Sequence, residues 1–244
     1  MKTMKMLCLP LLLIPLTLHA APELNVGGLH DYLPGERSTL LKRVRNGGDM
    51  TAFVKVSVAE LVYDADGVAR EVAIEDLPLE QRGLVASPAR LIIPARGMQG
   101  VRLLYRGERD RERYFRLRFI PVLPEHGDGF AIGDEQAKEY RDDLTAGVNV
   151  LAGYGTLLFV RPNQSRFATP VRGEQGRLVI ANEGNSTVIL DHFRHCSPDG
   201  RDCVAATKHH LLPGRMREFA QQPGRHYRFD LIEGDKRQEM TFKG

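Results

Sequence analysis

The chain has 244 residues, with 34 Lys and Arg against 31 Asp and Glu, a formal net charge of +3 and 3 cysteines. A balance this close to neutral argues against a protein that holds nucleic acid by charge, and the length allows one large domain or two small ones.

The first elements are those of an export signal. Lys2 and Lys5 precede an apolar run over residues 6–18, and His19-Ala20-Ala21 gives a small-residue exit, so cleavage is expected after Ala20. The run has 13 residues and contains Pro10 and Pro15, too short and too broken for a helix crossing about 30 Å of hydrocarbon. No second long apolar segment follows, so no membrane anchor is expected. Cleavage removes Lys2, Lys5 and Cys8, which takes the net charge from +3 to +1 and leaves an even pair, Cys196 and Cys203. In an oxidising compartment such a pair reads as a disulfide. The rival is a metal site, since His192, His195, His209 and His210 flank the cysteines, but the spacing fits no standard zinc pattern.

After the signal, apolar residues recur with period two. Residues 52–59, 101–105, 114–122, 148–160, 177–181, 187–193 and 226–232 read as strands, separated by turn signals such as Asn46-Gly47-Gly48-Asp49 and Glu183-Gly184-Asn185. One polar stretch, residues 134–143, reads as a short helix. Many short strands with frequent turns predict an all-β protein of sandwich type. The basic clusters Lys42-Arg43-Val44-Arg45 and residues 109–118 read as solvated strand faces. A polar segment at Arg161-Pro162-Asn163-Gln164-Ser165-Arg166 marks a linker. It predicts domains over 21–162 and 163–244, roughly 140 and 80 residues, each suited to an immunoglobulin-like sandwich.

Motifs of enzyme chemistry are missing: no GxSxG, HExxH or Walker loop occurs. Asp64-Ala65-Asp66-Gly67 lacks the remaining ligands of a calcium loop and reads as a hairpin turn. No catalytic residue, metal or cofactor is therefore assigned. The unusual feature is the run 144–160, about three times the length of an ordinary strand. One face carries Leu144, Ala146, Val148, Val150 and Ala152. Such a strand is either buried centrally or offered to a partner by strand addition.

With these segments in hand, the sequence resembles the periplasmic chaperones of chaperone–usher pili, most of all the alternate clade of the common pilus and the colonisation-factor fimbriae. The resemblance is carried by Leu24-Asn25-Val26-Gly27, by residues 83–95, by Val101-Arg102-Leu103, by Arg113-Tyr114-Phe115-Arg116-Leu117, and by residues 155–162. The cysteine pair followed by Leu211-Leu212-Pro213-Gly214 also matches.

The resemblance implies two immunoglobulin-like sandwiches in an L or boomerang. It implies pilus subunits and an outer-membrane usher as partners, with the run 144–152 lent to the open core of a subunit as a donor strand. It further implies an interdomain ion cluster of Glu112, Arg161 and Asp235, with Glu233 as another candidate. The P-pilus chaperones hold the subunit's terminal carboxylate with an Arg and a Lys, whose positions fall near His30 and Leu157, and neither is a fixed cation. A homodimer that caps its own lending strand is a further expectation. The alternative reading is a pilus subunit or tip adhesin, but residues 21–27 make a short, glycine-containing N-terminus rather than an alternating donor extension.

Overall fold

The structure is a computed structural model, and it describes residues 21–64, 66–125, 127–145 and 150–244. The export signal and the expected cleavage after Ala20 lie outside the described residues.

Ten strands make up the first half: β1 (Leu24–Asn25), β2 (His30–Leu33), β3 (Thr39–Asn46), β4 (Ala52–Tyr63), β5 (Ala69–Ala73), β6 (Leu84–Ser87), β7 (Arg90–Ile93), β8 (Met98–Tyr105), β9 (Arg113–Pro121) and β10 (Tyr154–Val160). Among the described residues one α-helix, α1 (Asp134–Thr145), and a 3-10 turn over Leu79–Gln81 interrupt them. The second half holds β11 (Val171–Glu174), β12 (Arg177–Ala181), β13 (Val188–Cys196), β14 (Thr207–Leu211), β15 (Met216–Ala220), β16 (His226–Glu233) and β17 (Lys236–Lys243).

The first half is a sandwich of two sheets, ordered β1-β3-β8-β6 and β2-β10-β9-β4-β5, with β7 also on β4. Alternation along β9 shows how the sequence builds it. Phe115, Leu117 and Phe119 point inward with no solvent exposure, while Arg116 and Arg118 point out. The inward set packs with Val44, Val54, Leu91, Leu103 and Leu158 in one core. Lys42 departs from the solvated face expected of its cluster. It is buried and donates to the Asp31 carboxylate at 2.6 Å and to the Gly28 carbonyl at 2.5 Å. Its place is set by strand parity, since even positions of β3 face inward.

The second half is a smaller sandwich of β11-β12-β15 against β14-β13-β16-β17, around Leu178, Ile180, Leu190, Phe193, Tyr227 and Phe229. A bulge at His192, where φ is +52°, shifts the register of β13 against both neighbours. Cys196 and Cys203 form a disulfide. The four histidines of the rival metal site each face a different partner: His192 faces Asp230, His195 faces Arg225, His209 faces Thr207 and His210 faces Tyr32. The disulfide closes a short loop, for which chain entropy gives about 2.5 kcal/mol. The Cys196→Ser/Cys203→Ser variant should therefore lose that much stability in the second sandwich. Urea unfolding followed by a probe in that half, with and without reductant on the parent, checks it.

The run from residue 144 is where the expected fold changes. Leu144 is buried in the last turn of α1, so it belongs to a helix and not to the lending strand. The helix covers Asp134–Thr145, two residues beyond the stretch read as helical. Acids in its first turn favour the positive end of the helix dipole, and the Thr145 hydroxyl bonds back to the Arg141 carbonyl at 2.8 Å. Ala146 and Val148 lie outside the described residues. Among the described residues, strand pairing resumes at Tyr154.

Candidate functional site: an open strand edge beside an interdomain cluster

β10 pairs with β9 along its whole length, from Tyr154 opposite Phe119 to Val160 opposite Arg113. On its other side β2 runs parallel to it, but only from Leu157, which sits opposite His30, to Val160. Among the described residues no strand pairs with that second edge over Tyr154, Gly155 and Thr156. The Leu157 N–H donates to the Leu29 carbonyl at 2.8 Å and the Arg161 N–H to the Leu33 carbonyl at 3.0 Å. By the two-residue repeat of a strand, the Gly155 N–H faces the same, open, side.

Along β10, Thr156, Leu158 and Val160 are buried in the first core. Val150 and Ala152 share their parity and precede them; Val150 is 78% exposed and Ala152 is also exposed. Beside the open edge lies a surface cavity of about 510 Å³ lined by Leu29, Arg116, Arg118, Ile120, Tyr154 and Leu157. Arg116 is the β9 partner of Leu157 and Arg118 that of Gly155. Both guanidiniums bond the Glu71 carboxylate at 2.6 Å, and the paired arginines hold that carboxyl below its ordinary range. His30, beside Leu157, is pushed below the ordinary histidine value, first by burial and then by Lys208.

Between the two sandwiches Glu112 and Arg161 are both buried. The buried Glu112 carboxylate accepts the Thr187 backbone N–H at 2.9 and 3.0 Å, the Thr187 hydroxyl at 2.5 Å and the Tyr114 hydroxyl at 3.0 Å. Burial raises its pKa, and those bonds and the nearby Arg161 oppose the rise. Arg161 itself is 7% exposed and stacks between aromatic faces, its guanidinium carbon 5.1 Å from the Tyr32 ring centre and 5.6 Å from that of Phe167. Its Nε is buried without a hydrogen-bond partner. Asp235, in the turn between β16 and β17, is exposed, and no ion pair joins it to Arg161 or Glu112 among the described residues. Thr187 and Tyr114 are the hydrogen-bond partners of the Glu112 oxygens.

A second contact crosses the same boundary. The Tyr32 hydroxyl bonds His210 Nδ1 at 2.5 Å, His30 stacks on His210 at 4.0 Å, and Phe159 lies 5.7 Å from it. Burial, ahead of the charges of His30 and Lys208, pushes His210 down to about 4. Thr187, Phe167 and Tyr32 gave no signal in the sequence, because single polar or aromatic residues carry no period. His210 was visible only as a flank of the cysteines.

A histidine depressed in the folded state stabilises fully above its unfolded value, near 6.5, and loses that contribution as the pH falls toward 4. Partial exposure screens the effect, leaving roughly 1–2 kcal/mol. The protein should therefore be less stable to urea at pH 5 than at pH 7, and His210→Phe should flatten the difference.

No family model matches the chain. Curated relatives do match along nearly its whole length. It is 27% identical over 241 residues to the probable fimbrial chaperone EcpB of Escherichia coli O7:K1, covering 96% of this chain and 98% of that one. It is 28% identical over 219 residues to EcpB of Klebsiella pneumoniae strain 342, covering 88% of each. Among solved structures it shares its fold with the class 5 fimbriae chaperone CfaA, with a TM-score of 0.56 at 19% identity over 91% of this chain and 99% of that one. The E. coli chaperone DraB gives 0.55 at 14% identity, over 91% of this chain and 96% of that one.

The chain is a pilus-assembly chaperone, similar to the fimbrial chaperones it matches along its length. Its relatives favour that reading over a pilus subunit or tip adhesin. Among the described residues of the chaperone, no helix is long and apolar enough to cross a membrane.

Proposed function

We propose that this chaperone captures pilus subunits by donor-strand complementation at the open edge of β10. The observation that carries the reading is that edge: among the described residues no strand pairs with the open side that the Gly155 backbone faces, and in the sequence Ala146, Val148, Val150 and Ala152 precede it at a single parity. A subunit lacking its last strand would pair with the edge and take the alternate side chains into its groove. Thr156, Leu158 and Val160 share that parity, so the subunit core would continue the chaperone's own. The loaded chaperone then passes the subunit to the usher. In the absence of a subunit, a second copy can cover the same edge. The chaperone works in the periplasm, after cleavage behind Ala20, with domains over 21–162 and 163–244.

Periplasmic co-expression with the subunits of the same assembly system should yield a soluble one-to-one complex. Incorporation of the chain itself into a fibre would instead identify a structural pilus component.

Arg116 and Arg118, which line the cavity beside the edge, would take the place of the missing Arg and Lys. Arg116→Ala should weaken capture of a subunit peptide with a free C-terminus and leave an amidated one unaffected. Equal losses for both peptides would remove the carboxylate role.

A further inference from the structure

A cavity of about 550 Å³ lies between the two sandwiches and shares no lining residue with the one beside the β10 edge. Three segments wall it. The turn after β2 supplies Pro34 and Glu36, the segment after β10 supplies Arg161 and Phe167, and the turn into β17 supplies Asp235 and Lys236. Glycines let these segments approach. A Cβ added at Gly35 would stand 2.5 Å from the Pro162 carbonyl oxygen. Gly234, at φ +64°, lies against the Phe167 ring, and a Cβ there would come 3.8 Å from Arg161 Nη1.

The deepest charge in the cavity is Arg161. Its buried guanidinium donates no hydrogen bond to any described residue, and its Nε is shut off from solvent without an acceptor. Glu112 is felt there through its charge but offers it no hydrogen bond among the described residues. A buried cation left without an acceptor is costly, so an acceptor brought from outside would be held strongly. The rim carries both signs. Glu36, Asp235 and Lys236 are exposed, and none makes an ion pair or side-chain hydrogen bond among the described residues. Glu233 is already taken by the Thr169 hydroxyl at 2.6 Å. An inorganic dianion would meet Arg161 but also the carboxylates of Glu36 and Asp235. A ligand with one carboxylate and one ammonium finds a complement at both ends, with Pro34 and Phe167 as apolar wall for a side chain.

We propose that this cavity binds a small zwitterion, a free α-amino acid or a short peptide, with its carboxylate on Arg161 and its ammonium on Glu36 and Asp235. The site is separate from the lending edge and does not rest on strand lending. Its walls come from both sandwiches, so a bound ligand ties them together and should raise the unfolding temperature.

Calorimetric titration of the purified chaperone with the common amino acids singly, and with alanyl-alanine and leucyl-leucine, tests it. At least one should bind with a Kd below about 1 mM, and whether amino acids or dipeptides bind more tightly assigns the source. Blocking that ligand by N-acetylation or by amidation should weaken it about tenfold each. Arg161→Gln should abolish binding. Because Arg161 is buried at the domain boundary and that variant can fail to fold, Glu36→Gln/Asp235→Asn gives an independent reading. Both of its sites are exposed, so the fold should be kept. The double variant should bind the free ligand about tenfold more weakly and the N-acetyl form as the parent does. Absence of binding by every probe at about 10 mM would overturn the proposal, as would equal affinity for free and N-acetyl ligands. So would tighter binding to Asp235→Asn than to the parent, which would make the turn's own Asp235 the occupant of Arg161.

Discussion

Replacing Val150 with glutamate is expected to abolish recovery of pilus subunit from the periplasm while leaving the chaperone folded. Val150 is 78% exposed in the free chain, so the substitution removes little packing there and should move stability by no more than about 0.5 kcal/mol. In a donor-strand complex the same position would enter an apolar groove, where an unpaired carboxylate costs several kcal/mol. A loss of at least about a hundredfold in complex yield follows, measured by co-purification of a tagged subunit. Val150→Ile should retain capture, because it keeps an apolar plug of similar shape. Normal yield with Val150→Glu would sink strand lending at this position.

The second large effect is expected at Glu112. Glu112→Ala strips the acceptor from the Thr187 backbone N–H, the Thr187 hydroxyl and the Tyr114 hydroxyl together. It also leaves Arg161 buried between two rings without the nearby carboxylate. Orphaned buried donors and an uncompensated cation put the loss at roughly 3 kcal/mol. Because the bonds join the two sandwiches, the loss should separate their unfolding. Calorimetry should show one transition in the parent becoming two in the variant. Glu112→Gln keeps a carbonyl acceptor and should lose less. A single unshifted transition in Glu112→Ala would show that the bonds to Thr187 do not couple the halves.

The fold was legible wherever one face of a strand is buried. The alternation over residues 52–59 and 114–122 became β4 and β9, and the two-sandwich architecture follows from many such runs. The start of the run from 144 misled because apolar alternation does not distinguish a strand from the last turn of a helix. Leu144 meets helical parity as well as strand parity, and the acid-rich stretch before it extended the helix. The interdomain cluster was legible in part. Glu112 and Arg161 are both buried at the boundary, but which group takes the carboxylate oxygens depends on Thr187, 75 positions away. Parallel pairing of β2 with β10 was not legible, since four residues of mixed polarity carry no period.

That short parallel pair has a mechanical consequence. β2 lies along the same edge of β10 on which a foreign strand would be laid, and it starts at His30, opposite Leu157. A strand added from the open side meets Leu29 and His30 as a backstop and can slide no further along β10. Sliding by one residue would turn every inserted side chain to the wrong face, so a fixed stop does the work of a ruler. Partners of different length would then all be measured from the same end, with any excess carried past Val150.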